Sequence, residues 1–528
     1  MHRYVLAVGL LLAAGAAAAQ DSSRFRSRVG AGTVTGTEEF TIVRAGAGQE
    51  LTSRVTMRRG GSESTFTVHE SLTAEWTADR YSVDMAGALG TAAVSAERKG
   101  DTLALVVRTP AGTPSREIPV KPRTVLMDNM LAAPFQVLLN MTGAKPGSLT
   151  LIVPFQLAAV DAVIESAGTA AGTLDGKPVT VTRLRLKAAG SEAEIDAEAA
   201  TNRLLRVFVV SQDAELVREG YAGPPEPKPA APPAGVTERQ VEFKSTDGQV
   251  FPATLCLPKP GTPSPLIVFI QGSGPQDRDE TIGPNKPFRD LAWGLAERGV
   301  ATLRYDKRTY AFPKTYTGTL ESESIDDAVE AVKLAQTLPE VDRKAVFVLG
   351  HSLGGLAAPY VAERVPVRGL VLMAAPGRSM ELVIRDQVRT LNAGQSEAVQ
   401  AQILQQQDAI MAKVRAGTAT REELNNQPPQ SVRDMIVRDP IAELQKTTVP
   451  LLVLKGGKDA QIFQADFDAL QALARVRPGS AAKLFPNLTH TFTLNEGPVD
   501  FRAIYQPAHV ATEVVETIAA WVRESSRQ

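Results

Sequence analysis

The rhythm of apolar and polar positions changes part-way along this chain. Up to about residue 221, apolar residues alternate with Thr, Ser, Arg and Glu, as in 39–43, 65–69, 102–107 and 179–186. A period of two sends successive side chains to opposite faces of a pleated strand, so these runs predict strands with one solvated face. Lys99-Gly100-Asp101 and Asp175-Gly176 are turn sequences between such strands. One helical interlude is expected around 127–141. Together these features predict an antiparallel β-rich domain, a curved sheet or partial barrel.

Beyond residue 237 the runs become continuously apolar: 266–270, 301–303, 346–349, 370–373 and 451–454. They alternate with amphipathic helical stretches. Strands that are apolar on both faces belong to a mostly parallel sheet with helices on either side, an α/β architecture. Ahead of them, 240–243 and 250–257 flank Thr246-Asp247-Gly248 as a hairpin leading into the sheet. Between Pro376 and Val449, Val399, Ile403, Ile410 and Val414 recur on one helical face. Gly417 can stop that helix and Asp439-Pro440 can start another. This predicts a helical cap at 377–447 over the turn that follows 345–349.

The two halves are separated by a run from Gly223 to Pro233 that holds six prolines. Such a run forms neither helix nor inner strand and is expected to be an extended spacer. At the start of the chain, His2 and Arg3 precede an apolar stretch, Val5–Ala14, and then Ala17-Ala18-Ala19. This is the pattern of a cleavable signal peptide, which implies a secreted or periplasmic protein. The expected organisation is therefore 1–19 signal peptide, 20–221 β-rich accessory domain, 222–236 linker and 237–528 α/β domain. No other segment is long and apolar enough to span a bilayer, so no stable membrane span is expected after cleavage.

Composition narrows the function. The 528 residues carry 57 Lys and Arg against 58 Asp and Glu, a formal net charge of -1. There is no basic excess of the kind that binds nucleic acid. Cys256 is the single cysteine, so no disulfide can form within the chain. It lies in a strand-like stretch and reads as a small buried residue. No Cys/His spacing suits a metal, and neither metal nor cofactor is expected.

The chemistry centres on Gly350-His351-Ser352-Leu353-Gly354-Gly355, which follows the strand 345–349 and precedes a helical stretch, 356–364. A Gly-x-Ser-x-Gly turn between strand and helix holds its serine hydroxyl exposed, so Ser352 is the candidate nucleophile. A serine needs a base. Of the five histidines, His2 lies in the signal segment, His69 in the other domain, and His351 beside the nucleophile and pointing away from it. His490 and His509 remain. His490 follows the apparent strand 482–485, whereas His509 opens an amphipathic helix. Sites in parallel sheets gather at strand ends, which favours His490 as base. Asp459 ends the run 451–459 and is the expected acid partner, with Asp466 on the following helix as its competitor. The oxyanion of an acyl-transfer intermediate needs donors. Leu353, through its backbone N–H, and Ser273, in the Gly-rich loop 271–280, are the candidates.

These residues resemble the bacterial carboxylesterase branch of the α/β-hydrolase superfamily. The resemblance covers about 237–528 and rests on five blocks: Gly-Ser-Gly-Pro-Gln-Asp-Arg-Asp-Glu at 272–280, Leu-Arg-Tyr-Asp-Lys-Arg at 303–308, the turn at 350–354, Gly-Gly-Lys-Asp at 456–459, and Thr489-His490. It implies an α/β-hydrolase fold and hydrolysis of small-molecule acyl esters by a Ser352–His490–Asp459 triad through an acyl-enzyme. The moderate length and polar stretches of the expected cap, such as Gln405-Gln406-Gln407, add the expectation of short to medium acyl chains. Two positions depart from the family pattern. Gln271 stands where His usually opens the oxyanion loop, and Thr309 where Gly often follows Lys-Arg. Arg304, Asp306 and Arg308 are expected to brace loops rather than bind substrate. Alternative readings are a prolyl-oligopeptidase-like peptidase, for which Asp279-Glu280 would hold an amino terminus, a thioesterase, or a decayed hydrolase acting as a binding protein. No propeller-length repeat supports the peptidase. No ligand for the N-terminal domain is legible.

Overall fold

The computed structural model describes residues 21–527 apart from 30–33, 60–61, 88–90, 110–111, 129–130, 189–190, 210–213, 225–229, 262, 394–396, 422 and 425–426. The expected signal peptide at 1–19 and the centre of the Pro-rich spacer lie outside the described residues. The chain forms two compact units, divided in sequence between Pro227 and Lys228.

Among the described residues, the N-terminal unit forms a sheet of 16 strands. Two meanders build it, one from Asp21–Val29 to Ser115–Pro119 and one from Gly147–Val153 to Ala214–Arg218, with Thr124–Leu126 added parallel to Gly147–Val153. They join where Asp21–Val29 pairs antiparallel with Ala214–Arg218. The two outer strands of this path, Ser115–Pro119 and Thr124–Leu126, are separated in sequence only by 120–123. So short a link forces the sheet to curl until its edges approach. Inside the curl lies the helix Ala133–Thr142, a few residues later than the periodicity predicts, with apolar residues buried on every side. Its first turn has no side-chain cap of its own. Glu38 supplies one from the sheet, accepting the N–H of Ala132 and, at 3.1 Å, that of Ala133. Glu70, Asp128 and Asp196 are further buried carboxylates of this unit, and Asp128 accepts the Tyr81 hydroxyl.

In the C-terminal unit the eight-stranded sheet runs, edge to edge, Thr237–Lys244, Val250–Leu257, Ala301–Tyr305, Ser264–Ile270, Val341–His351, Leu370–Met373, Leu451–Gly456 and Ala481–Phe485. The first two strands are an antiparallel hairpin and the other six are mutually parallel. Alternate residues of the central strands enter different cores. Leu266, Val268 and Ile270 face the helices Asp326–Ala335 and Leu353–Arg364, while Ile267 and Phe269 face Pro287–Glu297 and Thr512–Arg527. Both faces are covered, which is why the sequence runs are continuously apolar.

Strand order reverses around Ser264–Ile270. The chain leaves it for Ala301–Tyr305 on one side and crosses back to Val341–His351 on the other. Loops leaving two neighbouring strands in opposite directions open a crevice at their carboxyl ends, the preferred ligand position in such sheets. Among its described residues, segment 377–447 contributes four helices, Met380–Leu391, Glu397–Ala416, Pro429–Ile436 and Pro440–Gln445. The first three pack around a small core of Met411, Val414, Leu424, Val432 and Ile436, whereas Leu444 of the fourth joins the core of the main sheet. Val399 lies exposed, so the expected apolar face holds only toward the end of its helix, which Gly417 stops at a φ of 73°. No helix among the described residues is long and apolar enough to cross a membrane.

Candidate active site

Ser352 sits between the strand Val341–His351 and the helix Leu353–Arg364 with φ 53° and ψ -118°. A non-glycine residue rarely adopts this conformation, and the surrounding packing imposes it. A Cβ on Gly350 would lie 2.2 Å from the Gly354 carbonyl oxygen, and one on Gly354 would lie 2.2 Å from that of Ile270. Both positions accept only glycine, and that closeness bends strand into helix in a single residue. The Ser352 N–H donates to the Met373 carbonyl at 2.9 Å. Leu353 begins the helix, so its N–H has no intrahelical acceptor four residues back.

Across the crevice, the loop 271–280 is held from beneath by 304–309. Lys307, buried, donates from Nζ to the Gly272 carbonyl at 2.7 Å and pairs with Glu323. Arg278 forms a forked pair with Asp306, at 3.1 Å from Nε and 2.8 Å from Nη2. Arg304 pairs with Asp279 and Glu238, and Thr309 donates to the Gly274 carbonyl at 3.2 Å. Arg308 is buried against Asp327. The two most specific sequence blocks are thus one structural unit, and the charged residues after Ala301–Tyr305 are internal braces. Gln271 donates to the Tyr305 carbonyl. The Gly272 N–H is already engaged, 2.6 Å from Glu280 Oε1. Among the described residues the Ser273 N–H has no acceptor, which leaves it available to a ligand.

His490 and Asp459 come together from the ends of the last two strands. His490 Nδ1 lies 2.9 Å from Asp459 Oδ2, and both side chains are buried. The other carboxylate oxygen accepts the N–H groups of Gln461 at 2.7 Å and Ile462 at 3.0 Å, which fixes the plane of the acid. Burial works against the Asp459 charge, but His490, Lys455 and the Ile462 N–H outweigh it and hold the carboxyl below its ordinary range. Ser352 and His490 line one cavity of about 150 Å³, with Ser273, Gln276, Gln461 and Ile504 among its other walls. No described residue of 377–447 lines it.

The competing residues lie elsewhere. His509 is 82% exposed and bonded to Asp290 at 3.0 Å. Asp466 is committed to Arg378 and to the N–H groups of Gly377 and Arg378. Burial pushes the Cys256 thiol up to about 12, the behaviour of an inert core residue. Asp279 and Glu280 both face inward to protein partners. Among the described residues no three His, Cys, Asp or Glu side chains converge as metal ligands do. Sequence reasoning missed the parts of Glu280, His351 and Lys307 in building this site. An acid and a lysine near strand ends look solvated until the fold turns them inward.

Residues 267–504 match the Alpha/beta hydrolase family. Esterase EstD of Thermotoga maritima is 34% identical over 294 residues, which are 55% of this chain and 69% of that protein. The chain belongs to the alpha/beta hydrolase family. Solved structures that align with it include the esterase domain of a Rhodothermus marinus protein, with 18% identity, a TM-score of 0.34, and coverage of 55% of this chain and 98% of that one. A hyperthermophilic esterase from Pyrobaculum calidifontis aligns with 16% identity, a TM-score of 0.35, and coverage of 55% and 86%.

Proposed function

We propose that this chain is a serine carboxylesterase acting on small-molecule esters of short to medium acyl chain, exported to the periplasm or beyond. The observation that carries the reading is the Asp459–His490 hydrogen bond beside Ser352 in one cavity at the strand ends. The Ser352 hydroxyl gives its proton to His490 Nε2 as Oγ bonds to the ester carbonyl carbon. The Nδ1–H of His490 keeps donating to Asp459, which sets the tautomer and stabilises the imidazolium. The N–H groups of Leu353 and Ser273 take the negative charge of the tetrahedral intermediate. Collapse breaks the C–O bond, and the alcohol leaves with the proton from His490. Water then repeats the sequence on the acyl-enzyme, releasing acid and free Ser352.

Three features favour esters over peptides. The cavity is small. Its walls present Gln276 and Gln461 rather than a free carboxylate. The acidic pair Asp279-Glu280, the natural anchor for a peptide amino terminus, is spent on internal partners. The test is a series of aryl esters of increasing acyl length beside aminoacyl and dipeptidyl amides, with Ser352→Ala as control. Each added methylene that enters the cavity is expected to raise kcat/KM up to about fourfold, from about 0.8 kcal/mol, until the cavity ends. Faster cleavage of the amides overturns the esterase reading, and an active Ser352→Ala enzyme overturns the nucleophile.

A further inference from the structure

A second buried histidine–carboxylate pair lies in the wall of the site, and the acyl-transfer steps do not use it. His351 and Glu280 are 3% and 1% exposed, with Nδ1 2.9 Å from Oε2. The approach is off the ring N–H axis, so it is an ion-pair contact rather than an aligned hydrogen bond. Each partner has a further bond. Glu280 Oε1 accepts the Gly272 N–H at 2.6 Å, and His351 Nε2 meets the His490 carbonyl oxygen at 3.0 Å. Glu280 is held at φ 52°, a strained backbone angle for a glutamate.

Of the two ring nitrogens of His351, Nε2 lies within hydrogen-bond distance of a carbonyl oxygen and Nδ1 in ion-pair contact with a carboxylate, surroundings that favour the imidazolium. The charged groups around the ring are Glu280 from the loop 271–280, Asp459 from the end of Leu451–Gly456, and the titratable ring of His490, whose centroid is 4.7 Å away. Lys307 approaches from the far side of Gly272, through its carbonyl. Phe288 adds only an uncharged ring, at 6.4 Å. Burial disfavours the charge on His351, but Glu280 and the His490 carbonyl outweigh it and hold the pKa above the ordinary value.

We propose that the Glu280–His351 ion pair is a positioning element that sets the oxyanion loop, the nucleophile turn and the His490 loop in one register. Each of the three is touched once: the loop through Gly272, the turn through His351, which precedes Ser352, and the base through its own backbone carbonyl. A shift of about 1 Å among these groups costs about a hundredfold in rate, so the pair matters to the chemical step far more than to substrate binding. The inference rests on the assignment of Ser352 and His490 above.

The test uses full-length Glu280→Gln, His351→Gln, the double variant and Glu280→Asp, assayed on an aryl acetate across pH. Glu280→Gln still accepts from Gly272 but withdraws the charge from His351. It is expected to lower kcat about tenfold to a hundredfold with KM within about threefold. The double variant is expected to be no slower than the slower single one, because the two residues act as a unit. Wild-type kcat is expected to hold on the alkaline side until His351 loses its second proton. In Glu280→Gln that limb moves to lower pH. Glu280→Asp keeps the charge, and is expected to keep the limb while losing part of kcat. Additive single effects, a rise in KM that accounts for the loss, or an unmoved alkaline limb in Glu280→Gln overturns the proposal. Ser352→Ala separates the two levels. If it is inactive while Glu280→Gln behaves as wild type, positioning alone fails. If it is active, the assignment beneath fails too.

Discussion

Replacing Gly354 by alanine tests how the oxyanion hole is set. The new Cβ would stand 2.2 Å from the Ile270 carbonyl oxygen and 2.9 Å from that of Gln271. An ordinary carbon–oxygen contact is about 3.3 Å, so helix and strand end must part by about 1 Å. Ile270 ends the strand that leads into the loop of Ser273, and Gly354 follows Leu353 in the helix, so the separation falls between the two proposed donors. Displacing them by that much is expected to lower kcat about a hundredfold. The crowding itself is expected to destabilise the protein by about 1–3 kcal/mol, a few degrees in melting temperature. The assay is kcat on an aryl ester at saturating substrate, read beside thermal unfolding so that lost fold and lost geometry are told apart. A folded Gly354→Ala enzyme with wild-type kcat would refute the argument, because the tightest contact between the two sides would then not govern the chemistry.

Asp459→Asn is expected to lower kcat by about four orders of magnitude while the protein stays folded, because the amide no longer holds His490 in the required tautomer, whereas His509→Ala stays within about twofold. An unaffected Asp459→Asn enzyme moves the acid elsewhere. In the N-terminal unit, burial raises Glu70 from 4.5 to about 8 and Asp128 from 3.8 to about 7. The folded unit therefore holds protons that the unfolded chain releases, and its stability falls as pH rises from about 4 to about 8. Glu70→Gln is expected to flatten that slope in denaturant melts at pH 5 and pH 8, and equal slopes for variant and wild type would refute the coupling.

The catalytic half was legible because its signals are local. A continuous apolar run marks a strand covered on both faces, and Ser352, Asp459 and His490 each follow such a run or the strand after it. The choice between His490 and His509 needed only that rule. The braces were not legible, because each joins residues distant in sequence. Lys307 reaches Gly272 and Glu280 reaches His351 only once strand order has been reversed around Ser264–Ile270. His351 was read as pointing away from the nucleophile. Instead it lines the same cavity as Ser352 and faces a carboxylate in the opposite wall, which no spacing within 350–354 can announce. In the N-terminal half, alternation gave strands and turns. It did not give their number, nor the burial of Glu38, which depends on where the inner helix begins.

The route of the chain through the N-terminal sheet bears on how that unit assembles. Nearly every strand pairs with its immediate neighbour in sequence, so most of the ladder closes over loops of a few residues and can form in any order, quickly. The pairing of Phe25–Val29 with Ala214–Arg218 is the longest in range, with almost two hundred residues between its strands, well beyond the pairing of Leu174 with Tyr221. Until residue 218 has been synthesised, the first strand keeps one open edge, able to pair with another chain. The slow step in forming this unit, and its window of exposure to misassembly, both belong to that five-residue ladder, and changes at Phe25 or Leu216 are expected to act on folding yield before they act on stability.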